Sequence, residues 1–234
     1  MRIGLTQRVF EHNNQSYDAT DQDWYTYFDD HEIIPIPNHP QNFVSLADSL
    51  DLLVITGGNA PSERVKTELQ LVRAMMDNAK PILGVCHGAF FLTELFGGKV
   101  VECNGHHNTV HNVTMDNATV QVNSFHNLQI KNPPEVAKVL AVDEDGFCES
   151  WTHGTIGAVV WHPLLSGTLV GSLLMAYCHI KISMWEGPRK MSKTMSNKCQ
   201  MMFRRRRFRT LRKMLKKYQT ASPGGSQTDT PRKV

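Results

Sequence analysis

Short apolar runs alternate with longer amphipathic segments through the first half of this chain. The apolar runs predict β-strands at 2–6, 33–36, 52–56 and 81–85. The segments between them predict helices at 21–29, 41–49, 62–78 and 89–96. Repeated strand–helix alternation predicts an α/β fold, a flavodoxin-like parallel sheet with helices on both faces.

The pattern changes after Lys99, where the apolar runs become shorter and alternate with polar residues. They predict strands at 109–115, 119–122, 136–142 and 155–161. We interpret the first three as a short antiparallel extension and the last as a return to the main sheet. Beyond Gly167 the pattern degrades, and the residues from Ala221 onward have a composition typical of disorder.

Charge divides the chain at nearly the same place. Residues 1–164 contain 9 Lys and Arg against 20 Asp and Glu, whereas residues 165–234 contain 16 against 2, so the overall charge is +3. We therefore predict one domain over 1–167, followed by a basic, partly disordered C-terminal extension over 168–234.

Cysteine usage and hydropathy indicate a cytoplasmic protein. The five cysteines are widely spaced and form no CxxC pair, so neither a disulfide framework nor a cysteine zinc site is predicted. The N-terminus has a short strand pattern rather than the long apolar region of a signal peptide. The longest apolar-leaning run, 164–180, is shorter than the roughly 20 apolar residues that span a bilayer.

The strongest candidate for chemistry is Cys86, which follows a predicted strand and precedes a predicted helix. Gly84 and Gly88 flank it, and small neighbours let a substrate approach a nucleophile on such a turn. The helix N-terminus also favours a thiolate through its N–H groups and dipole. A lone cysteine here would be interpreted as structural, but the two glycines favour a nucleophile.

A thiol nucleophile needs a base and donors for the developing oxyanion. His162 follows an apolar strand and should reach the sheet edge that carries Cys86. The backbone N–H groups of Gly58 and His87 are the candidate oxyanion donors. A Gly-Gly loop alone is weak support, since it is also typical of an ordinary tight turn.

Four segments resemble the class I glutamine amidotransferase family in order and approximate spacing: Thr56-Gly57-Gly58-Asn59, Gly84-Val85-Cys86-His87-Gly88, Val122-Asn123-Ser124-Phe125-His126 and Trp161-His162-Pro163. The resemblance covers about residues 1–163 and is nearest to the branch that hydrolyses free γ-glutamyl amides. That branch includes bacterial enzymes of capsule phosphoramidate synthesis, which resemble hydrolases acting on a γ-glutamyl-CDP-amidate.

The resemblance implies a role for each matching residue. Cys86 would form a γ-glutamyl thioester, His162 would act as base and then acid, and Gly58 and His87 would hold the oxyanion. The segment Asn123, Ser124, Phe125 and His126 would contact the glutamyl head group, although for Ser124 and His126 a polar turn between strands is an equal alternative. The implied partner is a small-molecule γ-glutamyl amide, and a synthetase or amidotransfer partner is compatible with it. No cofactor or metal is predicted.

One position departs from the family. The pattern Trp-His-Pro-Glu supplies a glutamate that orients the histidine, and here position 164 is Leu. An imidazole without its orienting acid loses its preferred tautomer and much of its rate. The sequence after Pro163 is either a shifted reading frame or a divergent extension, and the first is favoured because resemblance and acidic composition stop together.

Two basic or metal-like features have weaker interpretations. His106, His107 and His111 could suggest a metal site, but no acidic residue lies nearby in sequence, so we expect a polar loop beside the active site.

The basic run at 204–217 could bind nucleic acid or an anionic membrane by charge alone. Because no nucleic-acid motif is recognised, a solvated or non-native extension is favoured.

These observations predict a cysteine-dependent hydrolase of a γ-glutamyl amide. The rival hypothesis is a catalytically silent binding or regulatory module that keeps the fold and the pocket, and Leu164 is the residue that supports it.

Overall fold

A computed structural model describes residues 1–163 of the chain. Within this part the strands are β1 Arg2–Thr6, β2 Arg8–His12, β3 Gln15–Ala19, β4 Glu32–Ile36, β5 Leu52–Ile55, β6 Ile82–Val85, β7 Lys99–Glu102, β8 His107–Met115, β9 Ala118–Phe125, β10 Leu128–Asn132, β11 Lys138–Asp143, β12 Cys148–His153 and β13 Ile156–Val159. The helices are α1 Asp23–Tyr27, α2 Phe43–Ser49, α3 Ser62–Asp77 and α4 His87–Leu95.

The centre of the fold is a set of parallel strands in the order β4-β1-β5-β6-β13. Strands β5 and β6 are buried along their whole length, which explains why their sequences are continuously apolar rather than alternating. The predicted α/β fold with a parallel core is therefore confirmed. Because parallel strands end at one sheet edge, the segments after β5, β6 and β13 lie at the same side of the molecule.

The antiparallel extension continues the same sheet through β12, β11, β8 and β9. The last strand, β13, returns between β6 and β12, as the sequence predicted. Strand β9 is longer than expected, so Asn123, Ser124 and Phe125 lie in a strand rather than in a polar turn. This corrects the turn interpretation for Ser124, because β8 pairs with β9 as far as His107 and Phe125, whereas His126 does lie in the turn between β9 and β10.

Several elements differ from the sequence prediction. Helix α1 is only five residues long, and the exposed hairpin β2–β3 was not predicted because its polar strands bury almost no side chain. Strands β7, β10 and β12 were also missed. Residues near these edges lack a long periodic pattern because each strand contributes only four to six residues to the sheet.

No helix within residues 1–163 is long and apolar enough to cross a membrane. The predicted domain boundary at 167, the apolar-leaning run 164–180, Leu164 and the basic extension lie outside the described residues.

Candidate functional site

Cys86 lies on a strained turn between β6 and α4. Its φ of 50° falls in the left-handed region that a side chain rarely adopts, and it forms the N-cap of α4. A Cβ at Gly84 would lie 2.5 Å from the carbonyl of Gly88, and one at Gly88 would collide with the backbone of Ile55. The two glycines therefore allow strand and helix to pack closely enough to hold the thiol in place.

The Cys86 thiol is protonated in the free protein. Burial raises its pKa to about 11, although a hydrogen bond from the His87 backbone N–H and the positive charges of Arg64 and Arg8 act in the opposite direction. The helix N-terminus alone does not produce the thiolate that the sequence argument favoured, because desolvation of the sulfur outweighs it.

His162 follows β13 and lies next to Cys86 across the backbone of Gly57. A Cβ placed on Gly57 would be 2.5 Å from Cε1 of His162, 3.2 Å from its Nε2 and 3.4 Å from Cβ of Cys86. The structure thus brings together the nucleophile and base that the sequence predicted. Burial and the charge of Arg8 lower the pKa of His162 to about 4, against a weaker opposing effect of Asp21, so its ring is neutral near pH 7.

The position of His162 is set by Asn123 and Phe125 from strand β9. The Asn123 side chain accepts a hydrogen bond from the His162 N–H at 2.9 Å and donates one to the His162 carbonyl at 2.6 Å. The Phe125 ring packs edge-on against the imidazole, with ring centroids 5.9 Å apart. Within residues 1–163 no carboxylate forms an ion pair with the His162 ring.

The candidate oxyanion loop, residues 56–59, is held by a fully buried guanidinium. Arg64 donates hydrogen bonds to the carbonyls of Thr56, Gly57 and Asn59 at 2.6, 3.2 and 2.8 Å. In a trans peptide the C=O and the following N–H point in opposite directions. Since the Gly57 carbonyl points at Arg64, the Gly58 N–H points away from it. Gly58 also has a φ of 114°, a conformation suited to glycine.

Arg64 belongs to a buried ionic network beneath the loop. Its Nε lies 2.8 Å from Glu68, whose other oxygen contacts Nε2 of His87 at 2.7 Å, and Thr6 donates to the same carboxylate at 2.9 Å. Burial opposes ionisation of Glu68, but the charges and hydrogen bonds of His87 and Arg64 outweigh it and lower its pKa to about 2. The His87 ring thus supports the turn that carries Cys86, and the His87 backbone N–H donates a hydrogen bond to the Cys86 sulfur.

A second cation stands at the outer side of the site. Arg8, at the start of the hairpin β2–β3, would lie 3.1 Å through its Cβ from a Cβ on Gly58. Its side chain is 41% exposed and pairs loosely with Asp21 at 3.5 Å. Asn59 fastens the hairpin to the oxyanion loop by two hydrogen bonds with the backbone of Val9. The positive charge of Arg8 therefore faces both solvent and the Cys86–His162 pair.

Strand β9 divides the predicted substrate segment between two faces. Asn123 and Phe125 face His162, whereas the Ser124 hydroxyl contacts the carbonyl of His106 and the His126 ring contacts the carbonyl of Leu128 at 2.8 Å. Alternation of side chains along a strand explains this division. Burial lowers the pKa of His126 to about 4. The role of these four residues in substrate binding stays a prediction.

Some buried groups near the site were missed by the sequence analysis. The Arg64–Glu68 pair has helical i,i+4 spacing, a signal that the predicted helix offered. Glu149, a buried carboxylate, lies beside His111 and His126 at 3.8 and 4.0 Å rather than beside the His162 ring. Burial, with a contribution from Asp143, raises the pKa of Glu149 to about 8.

The chain is similar to known proteins over about two thirds of its length. The profile of the family described as glutamine amidotransferase class-I matches residues 24–181. The chain is 26% identical over 181 residues to the gamma-glutamyl-CDP-amidate hydrolase of Campylobacter jejuni, covering 69% of this chain and 89% of that protein. It is 32% identical over 123 residues to anthranilate synthase component 2 of Archaeoglobus fulgidus, covering 49% and 66%.

The fold also occurs among solved structures. The crystal structure of a candidate GMP synthase component from Thermoplasma acidophilum superimposes with a TM-score of 0.64 at 20% identity. The match covers 79% of this chain and 95% of the other. At this level of identity the likeness shows the α/β fold alone.

Proposed function

Because this chain belongs to the class I glutamine amidotransferase family, we propose that it hydrolyses a γ-glutamyl amide through a thioester on Cys86. The observation that carries this proposal is the placement of Cys86 and His162 on either side of Gly57, with a Cβ position on that glycine within 3.4 Å of both side chains. A strained backbone at the cysteine supports it, because such strain is concentrated where function requires a fixed side chain.

In the first half of the reaction, the Cys86 thiol transfers its proton to the neutral His162 ring while the sulfur attacks the γ-carbonyl carbon. The C=O double bond opens to an oxyanion, which accepts hydrogen bonds from the N–H groups of Gly58 and His87. The oxyanion then collapses, the C–N bond breaks, and the departing nitrogen takes the proton from the His162 imidazolium.

In the second half, water attacks the γ-glutamyl thioester. His162 accepts a proton from the water, the same oxyanion donors stabilise the new tetrahedral intermediate, and its collapse returns the proton to the sulfur. The products are glutamate and a free Cys86 thiol. The reaction needs no group beyond those of this chain and water. The direction of the Gly57 carbonyl, held by Arg64, supports Gly58 as an oxyanion donor.

Arg8 supports a substrate with an anionic leaving group. It is a partly exposed cation beside Gly58, and its positive charge acts on both Cys86 and His162. The Campylobacter jejuni relative is named for a γ-glutamyl-CDP-amidate, whose diphosphate carries negative charge. We propose the same class of substrate here, with a place in bacterial capsule phosphoramidate synthesis, and a synthetase partner as a further proposal.

A catalytically silent binding module is the second candidate function. The observation that favours it is Leu164 in place of the family's glutamate, together with the absence of an ion pair on the His162 ring within residues 1–163. In this alternative the pocket binds a γ-glutamyl compound without turning it over. Backbone positioning by Asn123 favours the enzyme, since it fixes the imidazole without a carboxylate.

Glutamate release tests the two functions. The purified full chain is incubated with glutamine and, separately, with a γ-glutamyl-CDP-amidate, and glutamate is measured for the wild type, Cys86→Ala and Cys148→Ala. Cys148 is a buried cysteine in β12 rather than on the turn between β6 and α4, so its variant controls for the loss of a buried thiol. We expect release by the wild type and Cys148→Ala and none by Cys86→Ala. Equal release by the two variants would overturn the proposal.

Leu164→Glu separates a weakened enzyme from a silent module. A weakened enzyme should gain activity when an orienting acid is restored, because the correct tautomer of His162 becomes favoured. Binding of substrate without release, in both the wild type and Leu164→Glu, would establish the silent module instead.

A further inference from the structure

Five potential metal ligands converge in the antiparallel extension, on the face of β9 opposite to the catalytic histidine. They are His106, His111, His126, Asp143 and Glu149, and they come from the segment before β8, β8 itself, the end of β9, β11 and β12. The ligand atoms of His106, His111 and His126 lie within 4.8 Å of one another, and so do those of His111, Asp143 and Glu149. His111 is common to both groups and marks the centre of the cluster.

The polar atoms of this cluster are buried and unpaired. Within residues 1–163 no hydrogen-bond partner reaches Nδ1 of His106, either ring nitrogen of His111, Oδ2 of Asp143 or either carboxylate oxygen of Glu149. Glu149 is only 1% exposed. A single buried polar group without a partner costs about 1–3 kcal/mol, and native proteins contain few of them. Six such atoms on four neighbouring side chains indicate a partner that the cluster shares.

In His126 and Asp143, one polar atom is held by hydrogen bonds to the backbone, and the other is left available to the cluster. The Nδ1–H of His126 donates to the carbonyl of Leu128 at 2.8 Å, which directs Nε2 towards Glu149. Oδ1 of Asp143 accepts hydrogen bonds from two backbone N–H groups of its own turn, which leaves Oδ2 free. His126 thus has the arrangement typical of a metal-binding histidine, with its second ring nitrogen bonded to a carbonyl.

The Ser124 hydroxyl is the one further polar group that touches the cluster within the described part of the chain. It lies 3.0 Å from Nε2 of His126 and also contacts the carbonyl of His106, which accepts only. When the single hydroxyl proton goes to that carbonyl, the lone pair of His126 Nε2 stays available. Ser124 therefore does not compete with a cation for His126.

The distances fit a metal better than direct hydrogen bonds. Nε2 of His111 lies 3.8 Å from Glu149, and Nε2 of His126 lies 4.0 Å from it. Hydrogen bonds between such atoms are about 2.7–3.2 Å long. Ligand atoms around a tetrahedral zinc ion, with bonds of about 2.0–2.2 Å, are separated by about 3.4 Å. A contraction of up to about 1.4 Å would bring the ligand atoms of either group, which now lie within 4.8 Å of one another, to this spacing.

We propose that this cluster binds one divalent transition-metal ion, with His111, the residue common to both groups, as its central ligand and the remaining ligands drawn from His106, His126, Asp143 and Glu149. Imidazole and carboxylate ligands suit zinc among such ions. A site closed by this many protein ligands is structural, and it would join strands β8, β9, β11 and β12. Strand β9 also carries Asn123, so the ion would stabilise the strand that positions His162.

Zinc binding to the full chain tests this site. The protein is stripped with a chelator, metal content is measured after dialysis, and ZnCl2 is titrated by calorimetry at neutral pH. The test variant is His111→Gln, and the matched control is His107→Ala, an exposed histidine of the same strand outside the cluster. We expect one zinc per chain in the wild type and His107→Ala, and affinity more than about a hundredfold weaker in His111→Gln.

Two further variants test which residues bind the zinc ion. Cys86→Ala should bind zinc as the wild type does, which excludes the nucleophile as the ligand. If His111→Gln does not fold, Glu149→Gln, which keeps the side-chain volume, takes its place. Zinc should also raise the unfolding temperature of the wild type and not that of the variant. Equal zinc affinity in the wild type and the cluster variant, or no binding by the wild type, would overturn the proposal.

Discussion

The side chain of Asn123 brackets the backbone of His162, accepting from its N–H at 2.9 Å and donating to its carbonyl at 2.6 Å. The two residues come from β9 and from the segment after β13, and these strands are not neighbours in the sheet. A carboxylate on the ring would fix the tautomer of a catalytic histidine, whereas Asn123 fixes its location. Asn123 therefore sets the position of the His162 backbone, and within residues 1–163 no carboxylate forms an ion pair with its ring.

Removal of the two hydrogen bonds between Asn123 and the His162 backbone should lower kcat more than it changes KM. For Asn123→Ala we expect kcat to fall by about a hundredfold with KM within a few-fold of the wild type, because the base is displaced by an ångström or so. Steady-state kinetics measures both quantities. Asn127→Ala, an exposed asparagine beyond the end of β9, is the control and should behave as the wild type. A raised KM with kcat unchanged would instead place Asn123 on the substrate.

Gly57→Ala should separate the nucleophile from its base. The new Cβ would lie 2.5 Å from Cε1 of His162, so the imidazole must move away from Cys86. We expect glutamate release to fall by at least about a hundredfold. In Gly157→Ala the new Cβ meets only Leu83 at 3.6 Å, an ordinary contact, so this variant controls for added volume in the core. Equal activity of the two variants would contradict the placement of His162.

The rate at which Cys86 is alkylated should depend on pH as a free thiol does, rather than as a thiolate–imidazolium ion pair does. With the pKa of Cys86 raised to about 11 and that of His162 lowered to about 4, the free protein holds a thiol beside a neutral ring near pH 7. The thiolate fraction, and with it the rate of iodoacetamide modification, should keep rising with pH up to about 11. Peptide mass spectrometry resolves Cys86 from the other cysteines. A plateau of the rate near neutral pH would indicate a preformed thiolate–imidazolium pair.

Glu68→Gln should destabilise the fold strongly. The change leaves the fully buried Arg64 without its charge partner, and breaking one side of a buried ion pair costs about 3–5 kcal/mol. Urea unfolding measures the loss. Asp77→Asn is the matched control, since Arg73 and Asp77 form an exposed i,i+4 pair on the same helix, and exposed pairs contribute about 0–1 kcal/mol.

The same carboxylate sets an acid limit for stability. The pKa of Glu68 is lowered from 4.5 to about 2, so its contribution is fully present above pH 4.5 and is lost as the pH falls towards 2. Glu68→Gln should remove that part of the acid dependence. An unchanged acid unfolding curve in the variant would mean that other carboxylates control it.

Arg8 should discriminate between leaving groups. In Arg8→Gln we expect kcat/KM for a γ-glutamyl-CDP-amidate to fall by about tenfold or more, the effect of one charge-assisted contact, and that for glutamine to stay nearly the same. Arg2→Gln, which removes a similarly exposed arginine at the far end of β1, is the control. Equal losses with both substrates would assign Arg8 to folding or to the glutamyl head group.

The local sequence was sufficient for the parts of the site that are contiguous. Gly84, Cys86 and Gly88 lie within one strand–turn–helix unit, and a cysteine between two glycines on such a turn favours a nucleophile over a structural thiol. The parallel core was predictable because continuous apolar runs separated by helices can be buried only in a sheet covered on both faces. The same argument placed Cys86, Gly58 and His162 at one sheet edge.

Tertiary structure decided how these groups are held and ionised. The Asn123–His162 bracket depends on the register of strands far apart in sequence, and a one-residue slip of β9 would exchange its two faces. Arg64 could be recognised as an i,i+4 partner of Glu68, but only the folded conformation of the loop between β5 and α3 turns the carbonyls of Thr56 and Gly57 towards it. The depth of Cys86 beneath the surface, which raises its pKa to about 11, has no local sequence signal.

The histidine cluster shows most clearly which contacts the local sequence does not predict. His106 and His111 are close in sequence, but His126, Asp143 and Glu149 join them only because β8, β9, β11 and β12 form one sheet. His107, which the spacing grouped with them, is exposed because the register of β8 shifts between His107 and Thr109, which interrupts the alternation of faces between His107 and His111. The sequence thus determined the parallel core and the candidate nucleophile through local patterns, whereas strand pairing, a long-range property, determined what surrounds them.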